Sequence, residues 1–498
     1  MNEANRPQSL VLITVDCLRL DHCGFYGYSR PTTPFLDSVA QESVVVPTAI
    51  VAGAPTYYSF PSILASRMPL ALGRDVVGLA PGEVTLASAL RDAGYATAAF
   101  SAANPYLSPR FGYHQGFDTF EDFLAAEETA SVGSKATPGS SNAENRLNCF
   151  LHKTASAVGL CPVYDELYFQ YCARVATPPV QSLDDLRKFP SADVVVDRAI
   201  SWLESNRQSP FFLWLHFMDP HSPYFPTAEA FQDLTGRKAA PNSARYCNEY
   251  WKRAGLRPAR LQRKKNDVVE LYDAGIRSVD NALARFVSRL KATGLWEHCA
   301  FALTADHGEE FLDHGGRFHA PVSLFEEVVR VPLMIRAPGI SKRPVASVPF
   351  SHLHLAPTLL EMLGAPTPSS FQGRSLWEHL LQSSEWNEQA VIECVSGCTN
   401  PFQTETRLAP RLLGIRSEHH KMVLRFNPDC VEEVYDLAAD PDERKPIATN
   451  AAKEARKMLL EAARQHMNNT CTKRKSELST KARLRDLRVE LLSKPQSA

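Results

Sequence analysis

The sequence predicts an α/β protein with a central, mostly parallel β-sheet covered by helices. Apolar runs of strand length, rich in β-branched residues, recur along the chain, and amphipathic helical patterns lie between them. Strands that alternate with helices are typical of parallel sheets covered on both sides. The chain is 498 residues long, which exceeds one typical core, so we expect a large domain and a smaller one.

The elements follow one another in a regular order. Continuous apolar runs predict buried strands at residues 10–15, 97–100, 211–216, 300–304 and 331–335. Helical patterns between them cover residues 85–93, 194–206 and 268–293. Residues 131–145 are rich in Ser, Gly, Ala and Asn and predict a mobile loop. We therefore expect a main domain over residues 1–370, a small α+β subdomain over 371–450 and a basic helical tail over 451–498.

Composition excludes several classes of function. The formal net charge of -1 argues against bulk nucleic-acid binding. Basic residues do concentrate at 245–265, where they form either a solvated helical face or a rim that attracts an anionic substrate. No apolar stretch reaches about 18 residues, so no integral membrane segment is expected. The 11 cysteines show no zinc-ligand spacing and fit reduced thiols, which predicts a soluble, cytoplasmic protein. The sequence leaves the oligomeric state open.

Residues of the types that bind metals directly follow two of the predicted strands. Asp16 directly follows the first run, and Asp306 and His307 directly follow the run at 300–304. Ligands of parallel sheets bind at the carboxyl ends of strands, and carboxylates with an imidazole can share one divalent cation. A lone Asp after a strand is more often a helix cap or a turn residue. Two such places, with a histidine, favour a metal site.

Thr56 precedes an apolar pattern that predicts a helix starting near residues 56–59. A hydroxyl at a helix N-terminus faces backbone N–H groups and the positive end of the dipole, where an anionic ester can dock. Taken alone, a threonine here is more often an N-cap, and the two roles are compatible. A metal beside the hydroxyl would lower its pKa and make it a nucleophile.

Further polar residues follow the same strand ends. His216, Asp219 and His221 lie in one Pro-containing segment after the run at 211–216, and His314 and His319 follow Asp306. Each of them could be a satisfied structural residue. Five such residues in two segments favour at least two functional histidines.

Six stretches in order together resemble a known family: residues 16–37, 216–224, 304–309, 330–339, 356–360 and 433–443. The chain resembles sulfatase-like proteins of the alkaline-phosphatase superfamily from about residue 10 to residue 447. The resemblance implies an alkaline-phosphatase-like sandwich with a C-terminal α+β subdomain. It also implies a metal-dependent ester hydrolase or transferase.

One departure from the family pattern concerns the nucleophile. Sulfatases carry Cys or Ser in a Cys/Ser-x-Pro-x-Arg motif that is converted to formylglycine, whereas Thr56 and Phe60 occupy the first and last of these columns here. Threonine cannot become formylglycine, so none is expected. Residues 56–61 instead resemble phosphoethanolamine transferases, with nucleophilic Thr in Thr-x-Tyr-Ser-x-Pro. Lipoteichoic-acid synthases, which use one manganese, also have Thr here.

The resemblance implies that Asp16, Thr56, Asp306 and His307 hold one divalent ion, which would be Mn, Ca, Mg or Zn. Sulfatases place a second Asp where this chain has Cys17, so their calcium site is not expected unchanged. His354 stands where the family has an Asp before Ala-Pro-Thr-Leu-Leu.

The predicted reaction is attack of Thr56 on a small anionic phosphate ester, followed by transfer of the phosphoryl group to water or an acceptor. His221 would hold the non-bridging oxygens, and His319 would assist the leaving group or a second metal. His216, Asp219 and His314 are further substrate-binding candidates. Two alternatives remain open: a sulfuric ester hydrolase without formylglycine, and a non-catalytic metal-binding protein with this fold.

Overall fold

A computed structural model describes residues 6–74, 76–124, 142–157, 159–206, 210–319, 323–395, 409–427, 429–448 and 452–472. The β-strands in these ranges are, in order, β1 (Ser9–Val15), β2 (Ser43–Val45), β3 (Ala49–Ile50), β4 (Ala96–Ser101), β5 (Thr119–Glu121), β6 (Phe211–Phe217), β7 (Cys299–Ala305), β8 (Glu310–Phe311), β9 (Arg317–Phe318), β10 (Arg330–Val331), β11 (Leu333–Arg336), β12 (Phe350–Ser351), β13 (Ala390–Val395), β14 (Arg411–Arg416), β15 (His420–Asn427) and β16 (Asp429–Asp436).

The α-helices are α1 (Pro34–Ala40), α2 (Thr56–Ala65), α3 (Leu86–Asp92), α4 (Asn142–Ala157), α5 (Cys161–Tyr171), α6 (Ala192–Ser205), α7 (Ala228–Thr235), α8 (Pro241–Lys252), α9 (Pro258–Ala292), α10 (Glu326–Val329), α11 (Leu355–Leu363), α12 (Trp377–Gln382) and α13 (Lys453–Thr472). None of these described helices combines the length and the apolar character that crossing a bilayer requires.

The core of the molecule is a seven-stranded sheet in the order β2-β11-β7-β1-β6-β4-β5. β7, β1, β6, β4 and β5 run parallel, while β11 and β2 form an antiparallel edge. The side chains of β1, β6 and β7 are buried throughout, as expected for strands covered on both faces. The predicted α/β class with a mostly parallel sheet is therefore confirmed.

The apolar run at 331–335 is not one strand, contrary to the prediction. Pro332 separates β10, which pairs with β3, from β11, which pairs with β7 and β2. Proline has no N–H to give to a ladder, so the chain changes sheets at this point.

Two predicted surface segments are also helical. α4 begins at Asn142, inside the predicted loop, and residues 131–141 lie outside the described ranges. The basic segment at 245–265 forms the end of α8 and the start of α9. Several of its cations pair with acidic side chains, as Arg253 does with Glu166 and Lys264 with Asp267. These pairings are those of a solvated helical face.

The C-terminal subdomain is a four-stranded antiparallel sheet, β13-β14-β15-β16, with α13 against it. Leu459, Ala463 and Met467 of α13 pack with Leu413 and Ile415 of β14 in one small core. The predicted tail at 451–498 thus contributes a packed helix as far as Thr472, and residues 473–498 lie outside the described ranges.

A buried charge cluster joins this subdomain to the main domain. Lys421 of β15 is fully buried, and its Nζ lies 3.2 Å from Glu326 Oε1 and 2.6 Å from Glu443 Oε1. Glu326 begins α10, which leads into the strands beside the central sheet. The two parts therefore share a desolvated ionic contact.

Candidate active site

The candidate site lies where the central parallel strands end. Asp16 follows β1, Asp306 follows β7, and His216 is next to last in β6. Since β1 pairs in register with both β6 and β7, the residues that follow these strands converge at one edge. α2 begins at this edge with Thr56, whose hydroxyl is directed at the same point.

The four residues expected to hold a metal lie together. Thr56 Oγ1 is 3.4 Å from Asp16 Oδ2 and 3.2 Å from His307 Nε2. His307 Nε2 is in turn 3.7 Å from Asp16 Oδ1 and 3.5 Å from Asp306 Oδ2. We call Asp16, Thr56, Asp306 and His307 the first cluster. All four side chains are buried.

The first cluster has the chemistry of a cation site. Two buried carboxylates without a cation are costly, and Asp306 Oδ2 completes no hydrogen bond with any described residue. Burial, together with the neighbouring charge of Asp16, raises the pKa of the Asp306 carboxyl. His307 Nδ1 is 2.8 Å from the Gly308 carbonyl, so the hydrogen-bond network assigns its proton to Nδ1. The lone pair of Nε2 then faces the carboxylates, and the set fits a divalent metal.

Asn104 belongs to the site although the sequence analysis did not single it out. It lies just after β4, at the same edge of the sheet, and its Nδ2 donates a hydrogen bond to Asp16 Oδ2 at 3.0 Å. Its Oδ1 accepts from Tyr106 N at 3.0 Å, which fixes the orientation of the amide. The available signal was its position after the predicted strand at 97–100.

A second group of side chains lies beside the first cluster. The rings of His307 and His319 are 4.5 Å apart, and those of His319 and His221 are 5.1 Å apart. His319 Nδ1 is 3.4 Å from both Cys17 Sγ and Glu309 Oε1. Glu309 is fully buried, and the sequence analysis did not identify it as a site residue.

The pKa values of His221 and His319 are shifted in opposite directions. Burial lowers the pKa of His221, and the charge of Asp16 only partly offsets this effect. Burial also disfavours the charged form of His319, but the carboxylate of Glu309, together with those of Asp16 and Asp306, outweighs burial and raises the pKa of His319.

The three further substrate-binding candidates have structural partners. His216 is fully buried, and its Nδ1 bonds Thr14 Oγ1 at 2.9 Å. Its Nε2 is 3.6 Å from Asp16 Oδ2, so His216 contacts the Asp16 carboxylate of the first cluster. Asp219 Oδ1 accepts from Arg187 and from Ala192 N, and it holds the start of α6.

His314 lies in the loop between β8 and β9, the two strands that Glu309 and His319 flank. Its ring stacks on Phe325 with centroids 3.5 Å apart, and its Nδ1 is 2.7 Å from Glu327 Oε1. Its Nε2 is 3.0 Å from the carbonyl of Asp442 in the C-terminal subdomain. These contacts make His314 a bridge between the loop and the subdomain.

Sequence comparison shows the family to which the chain belongs. The profile of the family described as "Sulfatase" matches residues 8–365, which include the first cluster and the loop beside it. The chain belongs to the sulfatase family. A second profile, described as "N-sulphoglucosamine sulphohydrolase, C-terminal", matches residues 316–470 of this sulfatase-family chain and reaches into α13.

Several known proteins are similar to this sulfatase-family chain. Arylsulfatase K of Xenopus laevis is 26% identical over 288 residues, which cover 53% of this chain and 53% of that protein. Steryl-sulfatase of Mus musculus is 26% identical over an alignment covering 92% of this chain and 81% of that protein. The multifunctional alkaline phosphatase superfamily protein PehA of Trinickia caryophylli is 25% identical over 42% of this chain and 45% of that protein. The chain thus spans about half the length of several of these relatives.

Solved structures agree on the fold. The complex of BT4656 with its substrate D-glucosamine-2-N,6-O-disulfate gives a TM-score of 0.67 at 18% identity, with 95% of this chain and 100% of that chain covered. The phosphonate monoester hydrolase of Agrobacterium radiobacter gives a TM-score of 0.59 at 20% identity, with 93% and 95% covered. The superfamily and the sulfatase-like α/β fold predicted from the sequence are confirmed.

Proposed function

We propose that this chain is a metal-dependent hydrolase or transferase of the sulfatase family that acts on phosphate esters, with Thr56 as the nucleophile. The observation that supports this proposal is the position of Thr56 Oγ1, between Asp16 Oδ2 and His307 Nε2 at the start of a buried helix. The N-cap of α2 is Pro55 and Thr56 is its first residue, so the Thr56 hydroxyl does not occupy the capping position.

Asp16, Thr56, Asp306 and His307 would hold one divalent ion, for which Mn, Ca, Mg and Zn are the candidates. Such an ion lowers the pKa of a bound hydroxyl and neutralises charge on a phosphoryl group. The N-terminus of α2 adds the positive end of its dipole at the same place.

The chain's own residues account for the rest of the reaction. A bond forms between Thr56 Oγ1 and phosphorus while the bond from phosphorus to the ester oxygen breaks, and the Thr56 proton goes to solvent. His221 would hold the non-bridging oxygens, and His319 would give a proton to the departing oxygen. Water or an acceptor alcohol then attacks phosphorus, and Thr56 leaves with the proton of the attacking group.

Phosphate is favoured over sulfate because of the nucleophile. An aldehyde hydrate can release bound sulfate by collapsing, but threonine has no such route and its ester must be opened by attack at the central atom. Phosphorus permits that displacement. Sulfate-ester hydrolysis without formylglycine remains the second candidate, since the relatives named above include arylsulfatase K and steryl-sulfatase.

The deciding measurement is kcat/KM for matched aryl phosphate, phosphodiester and sulfate substrates with metal-loaded protein. We expect a phosphate ester to be the best substrate. A sulfate ester preferred by ~100-fold, or about 2.7 kcal/mol of transition-state stabilisation, would overturn the phosphate assignment.

The nucleophile has its own test. Thr56→Ala should lose on the order of 10³-fold or more in rate, while Thr56→Ser should retain part of it. Ser62→Ala is the matched control, because Ser62 lies in the same helix and donates to the Ser59 carbonyl rather than into the site. Normal turnover by Thr56→Ala would show that Thr56 has only a structural role. If no substrate is turned over but metal still binds, the chain is a non-catalytic member of the family.

A further inference from the structure

We propose that the helical hairpin of α4 and α5 is the surface through which two copies of this chain associate. Among the described residues, most of the exposed large apolar side chains lie in this hairpin and the turn that follows it: Phe150, Leu151, Leu160, Val163, Leu167, Tyr171 and Val175. Soluble monomers rarely expose a large contiguous apolar patch, and such patches mark interaction sites. The hairpin is therefore an interaction surface.

One side of α5 is already packed against the body of the protein. The Phe169 ring lies 5.6 Å from the ring of Tyr246 and 5.7 Å from that of Tyr250, both in α8. Glu166 Oε2 is 2.8 Å from Arg253 Nη1, just beyond the end of α8. A surface helix that packs on one side normally turns a polar side to water.

The opposite side of α5 is apolar as well. We call five side chains the α5 stripe, which are 54% to 71% exposed: Leu160, Val163, Leu167, Tyr171 and Val175. At about 100° per residue, the first four lie within an arc of roughly 80°, on the side opposite to Phe169. Val175 continues the stripe into the π-helical turn Cys172–Ala176. A helix that is apolar on two opposite sides is typical of one buried on both, so the α5 stripe calls for a second packing partner.

The spacing of the α5 stripe suits a second copy of itself. Leu160 and Val175 are equally far along the chain from a midpoint between residues 167 and 168, and the distances of Val163 and Tyr171 differ by one position. A two-fold dimer needs such a patch, because the same surface meets itself. With two α5 helices antiparallel, Leu160 of one copy faces Val175 of the other, and the two Leu167 side chains meet near the axis.

The apolar surface of the hairpin is also large enough for a dimer. Its exposed fractions correspond to on the order of 800 Å² of surface, which is what each partner contributes to an interface of standard size. The α5 stripe runs along ~22 Å of helix at 1.5 Å per residue. A contact of this length and area is sufficient for specific association.

The charges of α5 favour a protein partner over an anionic lipid surface. Helices that lie on such membranes carry Lys and Arg on the polar side. α5 contains neither residue type, and its charged side chains are Asp165 and Glu166. Both would be repelled by acidic head groups.

The experiment is sedimentation equilibrium of the full-length chain at low to high micromolar concentrations. We expect a reversible equilibrium between monomer and dimer. Val163→Glu should weaken dimerisation by about 100-fold or more, because it places an unpaired charge in an apolar interface. Val194→Glu is the matched control, since Val194 is also an exposed valine, in the first turn of α6, and it should leave the dissociation constant unchanged.

Two variants at Leu167 test the two-fold axis. Leu167→Glu and Leu167→Lys should each be monomeric where the unaltered protein is a dimer, because like charges then meet near the axis. An equimolar mixture of the two variants should restore the dimer, since opposite charges then face each other. Circular dichroism of each variant shows whether it is folded.

Several results would overturn the proposal. These are a monomeric unaltered protein, a dimer that neither Val163→Glu nor Leu167→Glu weakens, and a monomer that sediments with vesicles containing phosphatidylserine. A mixture of the two Leu167 variants that stays monomeric would overturn the antiparallel pairing. None of these readings needs turnover, so the outcome is independent of Thr56 and of the phosphate ester.

Discussion

Asn104 allows a quantitative test of how the first cluster is held. Its amide donates to Asp16 Oδ2 at 3.0 Å, and both side chains are buried. Asn104→Ala would remove this donor and leave the carboxylate free to rotate away from Thr56 and His307. The loop after β4 would also lose the bond from Tyr106 N to the Asn104 side chain, but Leu107 N would still bond the carbonyl of residue 104.

The expected magnitude follows from the nature of the bond. A hydrogen bond to a charged group contributes about 1.5–3 kcal/mol, which corresponds to roughly 10- to 100-fold in an equilibrium constant. Outer partners of metal ligands have the same range of effect on metal affinity. We therefore expect Asn104→Ala to weaken Mn²⁺ binding at the first cluster by about 10- to 100-fold, at an unchanged metal count under saturation.

The assay is calorimetric titration of the metal-free protein with Mn²⁺, in parallel with thermal denaturation with and without the ion. Asn206→Ala is the matched control, because the Asn206 amide bonds the Trp202 carbonyl at the end of α6, away from the site. A dissociation constant for Asn104→Ala within twofold of the unaltered protein, in a folded variant, would refute the argument that Asn104 positions Asp16.

Three more predictions concern other parts of the molecule. Asp306→Ala should lose the ion of the first cluster and all activity, because a hard cation loses an anionic ligand; full occupancy in elemental analysis would remove Asp306 from the site. Lys421→Met should lower the free energy of unfolding by about 3–5 kcal/mol in urea, since the buried Glu443 carboxylate loses its cation while Glu326 keeps only Arg416; a loss below about 1 kcal/mol would contradict that account. His314→Gln should flatten the fall of the thermal midpoint with rising pH. Burial lowers the pKa of His314, but the bond to Glu327, the charge of Glu327 and the carbonyls of Asp442 and Glu443 together outweigh burial and raise that pKa. Protonated His314 therefore stabilises the fold fully below the ordinary pKa of about 6.5, and this stabilisation is lost as pH rises through the higher pKa of the folded state. If the thermal midpoint falls equally steeply with pH in both proteins, His314 is not the source of the fall.

The convergence of Asp16, Asp306 and His307 could be predicted because it depends on topology. Residues that directly follow parallel strands meet at one edge whatever their surroundings, so a strand pattern and the residue types were sufficient. Thr56 could be placed by the start of its helix. The same reasoning could have reached Asn104, which stands three residues beyond the end of β4.

Side-chain directions inside the loops could not be predicted in this way. His216, Asp219 and His314 lie in the same segments as His221 and His319, but they point to Thr14, Arg187 and Glu327. The direction of each depends on contacts with distant parts of the chain, which local sequence does not contain. The packed face of α13 was missed in the sequence because basic residues dominate the composition of this segment. The signal was nevertheless present, since Leu459, Ala463 and Met467 recur every four residues.

The contact of His314 with the C-terminal subdomain has a consequence for the order of folding. The ribosome synthesises the loop between β8 and β9 well before the part of the C-terminal subdomain that contacts it, because His314 and Asp442 are separated by 128 positions. At synthesis rates of about 5–20 residues per second, roughly 6 to 26 seconds pass between the two. Throughout that interval the β8–β9 hairpin, which Glu309 and His319 flank, lacks its contact with the C-terminal subdomain, and contacts of such high sequence separation form late. The placement of His319 beside the first cluster is therefore expected to follow the synthesis of the C-terminal sheet rather than the completion of the central strands.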